Sequence, residues 1–169
     1  MQPSRSSQNA LSLFALSPEP SYALRAEPTD PDAHQFLALW REQTRGRDLI
    51  IGKDISSRPV ARFLANLMVV EPINDDADCR VRLAGSLVRR RYGREVSGQR
   101  LSALFSWDIF ERHIADMREV RRTGEPLILL ATVPQETAGP RTFDVVILRV
   151  LAPDGKSMWN IVGIFMITE

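Results

Sequence analysis

The sequence predicts an α+β domain built on a five-stranded antiparallel sheet, with helices on one face and an N-terminal helix flanking the other. Three observations predict it. Five short runs carry strand chemistry, and two of the links between them, Asn74-Asp75-Asp76 and Pro153-Asp154-Gly155-Lys156, are turn sequences of the kind hairpins use. Two longer segments, beginning near Pro31 and Ser106, repeat apolar residues at helical spacing. The last strand, Met158 to Thr168, is apolar on both alternating sides. Trp159, Ile161, Phe165 and Ile167 form one set, and Met158, Val162, Ile164 and Met166 the other. An antiparallel strand of that composition needs cover on both faces.

Bulk composition narrows the class. At 169 residues, with 44% hydrophobic and 25% charged residues, the chain fits one soluble domain plus a tail. A formal net charge of +1 argues against a nucleic-acid binder, which needs a strongly basic surface. One cysteine, Cys79, allows no internal disulfide, and with His34 and His113 it falls far short of a metal-site pattern. A reducing cytoplasm is the expected location. No apolar run approaches the roughly 20 residues of a membrane-spanning helix. Ala10 to Leu16 lies at the short end for a signal-peptide core and has only Arg5 before it, so export is not expected.

Residues 1–28 are rich in Ser, Pro and Gln, and the expectation is a flexible tail that docks at most through Leu11, Leu13, Phe14 and Leu16. Residues 29–47 form the expected N-terminal amphipathic helix, and residues 48–169 the sheet domain. Asp30-Pro31 is a good helix start, with Asp as cap and Pro in the first turn. Ala33, Phe36, Leu37 and Trp40 then recur at helical spacing, to about Arg45, until Gly46 ends the run. Between Asp48 and Pro59 the reading is a loop. In Phe63 to Ile73 the β-branched second half suits a buried strand. The next strand alternates Cys79, Val81 and Leu83 inward with Arg80 and Arg82 outward.

Seven of the twenty arginines crowd into positions 80 to 100: Arg80, Arg82, Arg89, Arg90, Arg91, Arg94 and Arg100. Gly85, Gly93 and Gly98 cut this stretch into pieces. Consecutive residues of the short helix capped by Ser86 point about 100° apart, so Arg89, Arg90 and Arg91 cannot converge on one ligand. Acidic neighbours (Asp75, Asp76, Asp78, Glu95) are interleaved. The cluster reads chiefly as a solvated face, with an anion or partner contact as the minor reading.

The longest helix runs from a Ser106 cap to Thr123-Gly124, with Pro126 barring continuation. Ile109, Phe110, Ile114, Met117 and Val120 share one arc, and His113 falls inside it. Strands then follow at Leu127 to Val133, Phe143 to Leu151 and Met158 to Thr168.

This order of elements resembles the PAS domain, a five-stranded antiparallel sheet whose helices cradle a cavity against one face. The resemblance covers roughly residues 65 to 168. The stretch RLAGSLVRRRYGREVSGQRLSALF carries most of it. Arg82 to Gly85, Tyr92 to Glu95 and Gly98 to Leu101 are similar to a bacterial subgroup of stand-alone PAS proteins. Two departures stand out: no asparagine ends the second strand at Gly85 or Ser86, and Gly93 to Gly98 is tightly spaced.

The resemblance implies a sensory or regulatory module, with no catalytic output on this chain, that signals by regulated association. A cavity between the long helix and the last three strands would take a small ligand, through Phe110, His113, Met117, Leu129, Val145 and Ile164. No cofactor is specified. His113 corresponds to the helix from which some PAS sensors ligate haem, but the favoured reading is a histidine hydrogen-bonded at the edge of the core. Flavin photochemistry is rejected, because Cys79 stands in the context Asp78-Cys79-Arg80 on a strand. Phe36, Leu37, Trp40 and Trp159 are the expected covering contacts on the other face, within one chain or across a homodimer. A separate signalling partner protein is the further expectation, with no nucleic acid or membrane. The alternatives are an interaction module with no ligand, or a small α+β-cone enzyme in which Asp144 and His113 transfer a proton inside an apolar cavity.

Overall fold

The computed structural model describes residues 20–54, 58–135 and 138–168. The expected docking residues Leu11, Leu13, Phe14 and Leu16 lie outside these. Among the described residues six strands form one sheet, in the order β1-β4-β5-β6-β2-β3, and every paired neighbour is antiparallel. The strands are β1 (Ser21–Arg25), β2 (Leu67–Ile73), β3 (Asp78–Ala84), β4 (Leu127–Val133), β5 (Arg141–Leu151) and β6 (Met158–Met166). The helices are α1 (Pro31–Gln43), α2 (Arg58–Ala61), α3 (Ser86–Tyr92), α4 (Leu101–Leu104) and α5 (Trp107–Thr123).

The α+β antiparallel architecture stands as expected, with one strand more. β1 lies within the segment read as a flexible tail. It pairs with β4 from Ser21 opposite Thr132 to Arg25 opposite Ile128. Five residues show too little alternation to stand out in a sequence, and the partner edge that holds them lies more than a hundred residues away. α1 also ends two residues short of Arg45.

The sheet separates two apolar layers. On the inner face, Phe110, Ile114, Met117 and Val120 of α5 pack with Val70, Val81, Leu129, Ile147 and Val162. On the outer face, Phe36 and Leu37 of α1 pack with Val146, Leu148, Ile161 and Phe165. The period-2 alternation of β5 and β6 distributes these two sets. The expectation that the N-terminal helix covers the second face holds within a single chain. The crevice left beside Phe36 and Trp40 measures only about 10 Å³.

Local chemistry explains the joints. The Asp30 side chain accepts a hydrogen bond from Ala33 N at 3.0 Å and so caps α1. The β2–β3 turn places Asn74, Asp75 and Asp76 at φ of 51°, 53° and 67°, a region these two residue types tolerate best among non-glycines. Gly85 lies so close to the preceding chain that a Cβ would fall 2.1 Å from the Leu64 carbonyl oxygen. Asparagine is therefore excluded at this position by sterics. Ser86 does not cap α3. Gly85 occupies the cap position, and no side-chain bond is made there.

The alternation of β3 breaks at a bulge. Val70 faces Val81 and Val69 faces Leu83, which leaves Arg82 unpaired and turns Leu83 outward, 58% exposed. Asp78, also on β3, is buried. Its carboxylate accepts from Cys79 N at 2.7 Å and from the Ser102 hydroxyl, which ties β3 to the start of α4. Arg121 and Asn160 make a second buried polar tie, between α5 and β6.

Candidate ligand-binding site

α5 runs across the inner face. Ser106 holds the cap position, and its carbonyl accepts Phe110 N at 2.8 Å, although its hydroxyl is buried without a partner. Gly124, at φ 75°, ends the helix. Asp108 in the first turn and Arg121 and Arg122 in the last complement the helix dipole. Helical spacing then aims Phe110, His113 and Met117 at the sheet.

His113 is only 6% exposed. Its ring lies between two aromatic edges, with the Tyr22 and Phe105 centroids each 4.8 Å away. Its Nδ1 is buried and has no hydrogen-bond partner. Burial, and secondarily the Arg112 charge, push its pKa down to about 4, so the imidazole is neutral at neutral pH. The hydrogen bond expected of a core-edge histidine is not made at Nδ1.

Tyr22 is the link to the sheet. It packs on a small cluster formed by Ala131, Val133 and Phe143, and Val145 and Ile164, both only partly buried, pack there too. Arg91 reaches the same cluster from α3 and places its guanidinium 3.5 Å from the Phe143 ring centroid. Aromatic rings, partly buried aliphatic side chains, a neutral imidazole and one guanidinium thus meet on one side of the inner layer. Such a surface can take a small, mostly apolar molecule and orient it by one or two polar contacts.

The six residues expected to line a ligand site all lie on this inner layer. Phe110, Met117 and Leu129 are buried in its main cluster, whereas His113, Val145 and Ile164 lie toward the Tyr22 side. Tyr22, Phe105, Phe143 and Arg91 were not anticipated. Tyr22 was hidden in the supposed tail, and Arg91 among arginines read as solvated. For Arg80, Arg82 and Arg89 that reading holds, since Arg80 and Arg82 face Glu71, and Arg89 pairs with Glu95 at 3.1 Å.

The second group of expected residues lies on the outer layer. Phe36 and Leu37 are buried inside the chain itself, while Trp40 and Trp159 are half-buried beside them. Trp40 Nε1 donates to the Arg149 carbonyl at 3.4 Å.

Asp144 is fully buried on this outer side, where its Oδ2 accepts from the backbone N–H groups of Thr29 and Asp30 at 2.8 and 2.5 Å. His113 belongs to the opposite layer. The expected proton-transfer pair is therefore not assembled, because adjacent positions along a strand send side chains to opposite faces.

An open cleft of about 840 Å³ lies elsewhere, near the C-terminal end of α5. Its arginines are already engaged: Arg118 with the Asp76 carbonyl, Arg121 with Asn160 and Arg122 with Glu119. The inner-face surface is the stronger candidate. Among the described residues no cluster of three His, Cys, Asp or Glu is placed to hold a metal ion. None of their helices is long and apolar enough to cross a membrane.

No curated protein matches the chain. The family model described as PAS domain matches residues 29–166, which includes α1, both covering layers and five of the six strands. The chain belongs to the PAS domain family.

Proposed function

We propose that this chain is a sensory or regulatory module that binds a small molecule on the inner face of its sheet and answers by changing its association with another protein. A single observation carries the reading: His113 presents a buried nitrogen without a partner, between two aromatic rings, beside the partly uncovered Val145 and Ile164. An unsatisfied buried polar atom is costly unless something supplies its hydrogen bond. A ligand on this surface would do so.

A route to the outer face is built into β5. Phe143 and Val145 face the proposed ligand, and Asp144 between them holds the backbone at the start of α1. Occupancy that shifts this segment of β5 would therefore favour one seating of α1 over another. The partner reads the exposed side of α1, and it is either a second copy of this chain or a separate signalling protein. Chemistry on the ligand forms no part of this role, and the cytoplasm is its setting.

Native mass spectrometry of freshly purified protein, with an absorption spectrum, tests the reading. The expected result is an added mass that denaturation releases and that His113→Ala lowers. A bare chain mass, with the His113 imidazole resonance unchanged on adding cell-extract small molecules, would sink it.

A further inference from the structure

We propose that the inner-face surface is built for a small monocarboxylate with an aromatic-sized apolar body, and that Arg91 recognises its charge. The inference rests on the reading of this surface as a ligand site and adds the chemical class of the ligand. Arg91 stands in the last turn of α3 and lays its guanidinium over Phe143, whose cluster also supports Tyr22, Val145 and Ile164. Tyr22 in turn touches His113. A chain of contacts through Phe143 and Tyr22 thus links guanidinium and imidazole.

What sets Arg91 apart is that it is half-buried without an anion, whereas Arg90 and Arg100 are exposed. Arg80 and Arg82 have Glu71, and Arg89 has Glu95. Among the described residues Arg91 has no carboxylate partner, and its guanidinium rests on the face of Phe143. Burial pulls its pKa below the usual guanidinium range, and the phenols of Tyr92 and Tyr22 only partly offset this. A desolvated cation is costly unless it is paired. A ring face recovers part of that cost, and an arriving carboxylate would recover more.

The charge count selects the anion. One guanidinium offers one positive charge, and His113 is neutral at neutral pH, so a monoanion fits better than a phosphate dianion. A planar carboxylate also matches the two-pronged guanidinium edge. The apolar body would lie against Tyr22, Phe105, Val145 and Ile164, with His113 Nδ1 beside it.

Titration of the full chain with phenylacetate, phenylacetamide and inorganic phosphate tests this, by calorimetry with nuclear magnetic resonance spectra to locate the site. Phenylacetate should bind about ten- to hundred-fold more tightly than the amide, the span that one charge-assisted contact supports. Phosphate alone should bind no better than the amide. Resonances of Tyr22, Phe105, His113 and Phe143 should shift, Arg91→Gln should bring the acid down to the amide, and Arg91→Lys should keep part of the difference. Equal affinity for acid and amide on this surface would overturn the role of Arg91 and leave the ligand site standing. Failure of both probes to bind would overturn the carboxylate class, while the native mass measurement decides the ligand site separately. Should Arg91→Gln not fold, the acid-against-amide comparison on the unmodified chain decides alone.

Discussion

The ring of Phe36 on α1 lies against the bare backbone of Gly163 on β6. A Cβ at Gly163 would stand 3.1 Å from the Phe36 ring and 2.6 Å from that of Phe165. The outer layer is thus keyed by a missing side chain, and the glycine lets α1 approach the sheet closely. Gly163→Ala should force both rings to move and cost about 1–3 kcal/mol, the range for overpacking a tight core. Urea denaturation measures it, and a neutral result would mean that α1 is not seated as described.

Removal of α1 is the more drastic version. Phe36 is 3% and Leu37 1% exposed, and they cover Ile161, Leu148 and Phe165. Phe36→Ala should cost roughly 3–5 kcal/mol. Deleting residues 1–46 should bare the outer face and produce aggregation, visible by size-exclusion chromatography. A soluble, monodisperse product would contradict the covering role of α1.

Asp144 anchors the start of the same helix through two backbone N–H groups. Asp144→Ala should leave both donors without their acceptor and lower stability by about 1–3 kcal/mol. Hydrogen exchange should quicken first at Thr29, Asp30 and Ala33, before it quickens in β5. Uniform loss of protection would show that Asp144 supports the whole sheet rather than the helix start.

His113 makes stability depend on pH. Its pKa of about 4 in the folded chain lies below the ordinary 6.5, mainly through burial. Between these values the unfolded chain binds more protons, so the contribution is fully present above pH 6.5 and is lost as pH falls toward 4. The shift corresponds to roughly 3 kcal/mol at most. His113→Phe should flatten the stability curve in that window relative to the parent. Parallel curves from pH 6.5 to 4 would refute the assignment.

Arg121 and Asn160 should behave as one unit. Arg121 Nη1 donates to Asn160 Oδ1 at 2.6 Å, and Asn160 Nδ2 donates to the carbonyls of Met117 and Leu148 at 3.3 and 3.4 Å. Asn160→Leu alone removes one acceptor from a buried guanidinium that keeps its contact with Asp76 at 3.5 Å, and should cost about 1–3 kcal/mol. Adding Arg121→Met should recover part of the loss, with a coupling energy of roughly 1–3 kcal/mol in a double-mutant cycle. Strict additivity would show that the two side chains act independently.

Much of the fold was legible because it was written in local periods. The α5 boundaries, the β4 span and the turn from Pro153 to Lys156 follow from spacing, caps and turn chemistry that neighbouring residues determine among themselves. β1 was not legible, since SYALR becomes a strand only when the β4 edge supplies its hydrogen bonds. Leu83 was misplaced because a bulge depends on pairing across two strands and leaves no mark in the alternation of one.

The candidate site divides in the same way. Helical phase was enough to send Phe110, His113 and Met117 inward, and the two-sided apolar pattern of β6 was enough to require a cover on each face. Only the tertiary structure brought Tyr22 and Phe105 to the imidazole, left its nitrogen unpaired, and separated Arg91 from its solvated neighbours. A residue's direction follows from its own stretch of backbone. Its solvation and its partners follow from which distant segments close around it, and packing alone decides that.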